Sequence, residues 1–155
     1  MAEFILYHHK NLLLTKYAIE CSKTLREFDT AKNLRVASLP QQHSSREFAV
    51  LPTELRKLLF FARPDLVICL DDGIRPTRPV FALELTDHVP AQDHWMQRFN
   101  HLVGCAAQGV PGAYVLPFSM PKHPKFKSGL DHVFFYAYDR VTEIHETPIF
   151  IAEWE

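Results

Sequence analysis

Apolar side chains recur at three- and four-residue spacing between residues 11 and 33, at Leu14, Tyr17, Ala18, Cys21, Leu25 and Phe28, which predicts a long amphipathic helix. A polar, proline-broken stretch from Leu39 to Ser45 separates it from a short apolar run, Phe48 to Leu51, that reads as a strand. Pro52, Thr53 and Glu54 then signal a helix start, with Thr53 as a cap or Pro52 in the first turn. Leu55, Leu58, Leu59 and Phe60 form the apolar side of this helix, which stops before Pro64. Two runs follow in which apolar residues do not alternate with polar ones: Asp65 to Leu70, and Pro79 to Leu85. Such runs predict strands buried on both faces. Asp71-Asp72-Gly73 between them is a turn signal, so the pair reads as a hairpin at the centre of a mixed sheet.

Helical spacing returns from Ala91 to Gln108, with Trp95, Phe99, Leu102 and Ala106 on one stripe and His94, Gln97, His101 and Gln108 on another; Gly109 ends this helix. Ala113 to Phe118 reads as a further buried strand, Ser119 to Gly129 as a loop, and His132 to Val141 and Pro148 to Trp154 as β-rich segments. The chain is thus expected to be one α/β domain over residues 1–155, with a helical N-terminal part at 1–50, a core at 52–118 and a β-rich C-terminal part at 130–155.

Composition narrows the class. With 155 residues, 47% hydrophobic and 23% charged, the chain can bury a core and is not disordered. Seventeen basic side chains against eighteen acidic ones leave no global charge to attract a polyanion, so a phosphate-binding surface has to come from local segregation of charge. Cys21, Cys69 and Cys105 are odd in number and lack metal-type spacing, which predicts reduced core thiols. No basic region followed by an apolar run opens the sequence, and no segment has bilayer length; a cytoplasmic protein without membrane association is expected.

The chemistry concentrates in the hairpin and the helix after it. Pro64-Asp65 opens the first strand, and Glu84-Leu85-Thr86 closes the second, 19 positions later. Together with the order helix, strand, strand, helix, strand from Glu54 to Phe118, these residues resemble the PD-(D/E)XK nuclease superfamily, the restriction-endonuclease-like fold of many DNA enzymes. The resemblance implies a restriction-endonuclease-like core, a central mixed β-sheet flanked by α-helices, over residues 52–118. It also implies an Mg-dependent deoxyribonuclease, with manganese as a substitute, in which Asp65, Glu84 and the Leu85 carbonyl hold the metal. Thr86 stands where the family carries lysine, and Gln97 matches a glutamine that several branches keep near the active site. The physical logic is independent of the family: magnesium prefers hard oxygen ligands and keeps waters, so two carboxylates and a carbonyl leave room for water and a phosphate. With threonine in the lysine position, Thr86 itself, the substrate phosphate, or a helix side chain such as Gln97, His94 or Arg98 would orient the nucleophile.

Several residues carry two readings. Asp65 is a metal ligand or a strand-start turn residue, and Glu84 is a metal ligand or a strand-end carboxylate paired with Arg98. Glu20 and Glu54 are candidates for a further ligand; Glu54 also suits the first turn of its helix through the helix dipole. Asp71 and Asp72 are better explained by turn hydrogen bonding than by metal binding. Arg75 and Arg78 in the hairpin, and Lys122, Lys125 and Lys127 in the loop, are candidate contacts to nucleic-acid phosphates, or solvated side chains. The nine histidines have no structural-zinc spacing, although His94 and His101 share a helical face with Gln97. The expected partner is DNA, bound by a homodimer or by a subunit of a larger nuclease assembly. The rival expectation is a catalytically inactive nuclease-like fold that serves as a nucleic-acid-binding or protein-assembly module.

Overall fold

The computed structural model describes residues 2–9, 12–26, 33–85, 92–117 and 132–154. Six strands form one mixed sheet in the order β2-β1-β3-β4-β5-β6. They are β1 (Glu3–His9), β2 (Leu34–Leu39), β3 (Leu66–Asp71), β4 (Arg78–Leu85), β5 (Gly112–Pro117) and β6 (Ile149–Trp154). The helices are α1 (Leu12–Arg26), α2 (Arg46–Ala49), α3 (Thr53–Phe61), α4 (Gln92–Ala106) and α5 (His132–His145).

The β3–β4 hairpin lies at the centre, as its non-alternating apolar runs predict, and is antiparallel. β1 pairs antiparallel with β3, while β1–β2, β4–β5 and β5–β6 are parallel pairs. Among the described residues each parallel pair has one helix between its strands in sequence (α1, α4 and α5, respectively), because a parallel return needs a crossover long enough to recross the sheet.

Alternation along the strands sorts the two faces. Ile5, Tyr7, Val67, Cys69 and Ala82 pack with Leu55, Leu58 and Leu59 of α3 and Cys105 of α4. Leu6, Leu34 and Leu66 pack with Ala18 of α1 on the opposite face, joined by Phe4, Ile68, Leu83 and Leu85. A third cluster joins Leu102 of α4 to Tyr114 of β5 and Tyr138 of α5. α3 and α4 approach closely where a Cβ added at Gly104 would lie 2.9 Å from the Ala62 Cβ and 2.9 Å from the Phe61 carbonyl oxygen.

The structure corrects the sequence reading at both ends. Residues 1–50 are not simply helical: β1 and β2 bracket a shorter α1, and β1 lies inside the sheet. Phe48 to Leu51 is not a strand; α2 ends there, with the Ser45 side chain accepting from the Phe48 N–H as its N-cap. Residues 130–155 are not β-rich throughout, because His132–His145 is α5. Its aromatic and β-branched content favours strand locally, but Tyr138 and Val141, three apart, are buried and hold it as a helix. At the start of α3, Pro52 is the N-cap and makes no side-chain cap bond, leaving Thr53 as the first helical residue.

Candidate functional site

Strand alternation and register place the two hairpin carboxylates together. Leu66 pairs with Leu83, so one residue further along the antiparallel ladder Asp65 stands opposite Glu84. Asp65 has the parity of Val67, and Glu84 that of Ala82, so both face α3 and α4. Asp65 is tied in at both ends. Its backbone carbonyl accepts from the His9 N–H at 3.2 Å, and its Oδ2 accepts from the Leu85 N–H at 2.9 Å.

α4 crosses this face and contributes Arg98 and His101, three positions apart and so on the same side of the helix. Arg98 Nη1 lies 3.0 Å from Asp65 Oδ2 and 3.4 Å from Glu84 Oε2, and it also donates to the Leu85 carbonyl. A guanidinium Nη bears two hydrogens, so three oxygens crowd one nitrogen and the longest contact is mainly ionic. The other oxygen of Glu84, Oε1, shares a proton with His101 Nδ1 across 2.7 Å. Every oxygen of Glu84 therefore has a partner, as its 1% exposure requires.

Burial governs the ionisation of this cluster. It pushes the Glu84 carboxyl well above its ordinary value, and the neighbouring Asp65 charge pushes the same way against Arg98. Burial also lowers the His101 and His9 imidazoles, with Asp65 opposing in each case and Arg63 adding to the lowering. The Cys105 thiol is pushed up to about 12 by burial and by Glu84. The site thus combines a proton held between a carboxyl group and an imidazole with a cation cradled by three oxygens.

Asp65, Glu84 and Leu85 are the oxygen donors that the resemblance implied, and the fold brings them together. In kind they suit magnesium, which takes oxygen ligands at about 2.0–2.1 Å. In this structure the same lone pairs are turned to Arg98, and the described residues contain no group of three or more His, Cys, Asp or Glu side chains able to hold a metal ion. The Arg98 guanidinium occupies the cradle that these three oxygens form.

Gln97 lies on α4 immediately before Arg98. Thr86, Lys122, Lys125 and Lys127 lie outside the described residues. Glu54 is not gathered into the cluster. It pairs with Lys57 at 2.9 Å and lines a groove with Arg75, Arg78 and Val110 at the hairpin-turn end, away from Asp65. Arg75 and Arg78 are both bound to Asp72, at 3.0 and 3.1 Å. Asp72 also accepts from the Ile74 and Arg75 backbone N–H groups, which hold its carboxyl far below the usual range, while Asp71 accepts from the Gly73 N–H and the Thr77 hydroxyl. Both aspartates do turn chemistry, and Gly73 takes the φ of +70° that the turn requires.

His9 and Arg63 are members of this electrostatic neighbourhood that the sequence reading did not identify. Neither has a local signal: His9 reaches the site only because β1 pairs with β3. Comparison with known protein families, characterised proteins and solved structures returns no match. The geometry alone supports a functional reading.

Proposed function

We propose that this domain is a restriction-endonuclease-like, metal-dependent DNA phosphodiesterase whose metal ligands are Asp65, Glu84 and the Leu85 carbonyl. One observation carries the reading: oxygens from all three converge on a single cationic nitrogen. Two carboxylates from adjacent central strands and a carbonyl between them form a hard-oxygen cradle of the kind a divalent ion needs. The ion, when bound, supplies an acidified water and charge stabilisation at the phosphate. The protein's own contribution is positional. The Leu85 N–H fixes Asp65 Oδ2, and His101 holds Glu84 Oε1, so that only Oε2 faces the cradle. His101 is also a proton-carrying group in contact with Glu84, one helical turn along α4 from Gln97.

A specific observation favours a second reading. Arg98 already contacts all three oxygens, as a permanent internal cation would, and the lysine position holds Thr86. A nucleic-acid-binding or assembly module without hydrolytic activity fits these two features. Calorimetric titration with Mg²⁺ and Mn²⁺ separates the readings when combined with cleavage assays on plasmid, linear, single-stranded and branched DNA, using the native protein, Asp65→Ala and Glu84→Ala. Metal-dependent cutting abolished by both substitutions supports the phosphodiesterase. Absence of cutting, with no metal uptake by any form, supports the binding module.

A further inference from the structure

Four residues before Asp65, at the end of α3, the chain presents an aromatic surface. Phe60 and Phe61, at the end of α3, are 71% and 67% exposed, a large unburied aromatic area for consecutive residues. They are arranged rather than scattered. The His43 ring stacks on Phe60 with centroids 5.9 Å apart and 20° between planes, and it lies 4.7 Å from Phe48; Phe61 stands edge-on to Phe60 at 6.0 Å. Arg63 fixes this platform by donating from Nε to His43 Nε2 at 3.0 Å and from Nη2 to the Gln41 carbonyl at 3.1 Å. Between Phe48, Phe60 and Phe61 runs an open groove of about 420 Å³ whose remaining walls are Thr53, Arg56 and Lys57.

We propose that this platform binds an unpaired nucleic-acid strand, stacking its bases on the rings and placing its phosphates on the surrounding cations. Charge selects this occupant. Arg56 and Lys57 line the groove, Lys57 being paired as well with Glu54 on the same helix, and Arg63 is bonded to the His43 ring; among the groove's lining residues none is acidic, although the chain as a whole carries a net charge of −1. An apolar partner side chain would use the rings and gain nothing from the cations; a strand with π faces and a phosphate backbone uses both. Position agrees. Arg63, bonded to the platform's His43, lies two residues before Asp65, so the platform sits beside the strand end that carries the acid. The choice of nucleic acid as ligand rests on the proposed function, and the platform makes that function selective for DNA with an unpaired segment.

Fluorescence anisotropy in EDTA, with a labelled single-stranded oligonucleotide and the matching duplex at low salt, tests the proposal without requiring catalysis. Tighter binding of the single strand is expected. Phe60→Ala and Phe61→Ala are each expected to weaken it by about 5-fold or more, since stacking on an aromatic side chain is a large part of such binding. Tyr136→Ala removes an equally exposed ring on α5 and is expected to change nothing. No binding, equal binding of duplex and single strand, or Phe60 and Phe61 variants that match Tyr136→Ala would each overturn the platform. Cleavage with Mg²⁺ is scored separately. Cutting that ignores Phe60 and Phe61 leaves the phosphodiesterase standing without the platform, and ring-dependent binding without cutting does the reverse.

Discussion

Arg98 and Asp65 are 33 positions apart in sequence and joined at 3.0 Å in the fold. The same guanidinium nitrogen reaches Glu84 and the Leu85 carbonyl, so one side chain of α4 ties the helix to both strands of the central hairpin. Both Arg98 and Asp65 are partly buried, with side-chain exposures of 28% and 22%, so this pair is less screened than a surface salt bridge.

Replacing Arg98 exposes what it balances. Arg98→Gln leaves two facing carboxylates and a carbonyl without their cation, and a loss of about 1–3 kcal/mol in unfolding free energy is expected in EDTA. If the cradle is also the metal site, the variant should recover much of that loss on adding Mg²⁺ or Mn²⁺, because ligand binding to the folded state stabilises it. Urea denaturation with and without the ion measures both effects. An equal loss under the two conditions would assign the cradle to Arg98 alone.

The pH dependence of stability separates Glu84 from the histidines. The folded-state value of Glu84 is raised from an ordinary 4.5, so the stability linked to its proton is complete below pH 4.5 and is lost as pH rises through the folded value. His9 and His101 are lowered from 6.5, so their contribution is complete above pH 6.5 and is lost as pH falls toward their folded values. Glu84→Gln keeps the shape of the side chain, cannot ionise, and so removes the first effect. Its unfolding free energy relative to the native protein is expected to rise with pH above 4.5, by at most about 1.4 kcal/mol per pH unit. Denaturation series between pH 5 and 8 provide the comparison, and a difference that stays flat would mean that Glu84 is charged in the fold.

The contact between α3 and α4 depends on a missing side chain. At Gly104 an added methyl would meet the Phe61 carbonyl oxygen and the Ala62 Cβ, both at 2.9 Å, and backbone cannot step aside as a flexible side chain can. Gly104→Ala is expected to destabilise by about 1–3 kcal/mol through overpacking. A thermal melt that matches the native protein would show that the two helices part easily.

Leu55 tests the core on which α3 rests. It is fully buried among Ile5, Leu58, Leu59 and Val67, and Leu55→Ala is expected to cost about 2–5 kcal/mol through lost transfer energy and the cavity left behind. Equilibrium unfolding checks the value, with Lys57→Ala as a surface comparison expected to stay within about 0.5 kcal/mol.

Local pattern by itself determined the central hairpin, α3, α4 and β5. Non-alternating apolar runs and three- and four-residue stripes are written in neighbouring positions, although β4 is only partly buried along most of its length, with Ala82 and Glu84 its buried residues. The same pattern set Asp65 and Glu84 at strand ends, and it gave Asp71 and Asp72 their turn roles through short-range hydrogen bonds. Other features belong to the tertiary structure alone. β1 lies in the stretch read as a helical N-terminal part, and its pairing with both β2 and β3 sets it inside the sheet; with it comes His9 beside Asp65. α5 has the composition of a strand, and packing of Tyr138 against Phe99 and Tyr114 decides for the helix. That Arg98, rather than a neighbour on α4, enters the cradle depends on how the helix is rotated against β4, which no spacing within α4 specifies. The physical reason is the same in each case: local periodicity encodes which side of an element is apolar, whereas partners and rotations are chosen by contacts between elements far apart in the chain.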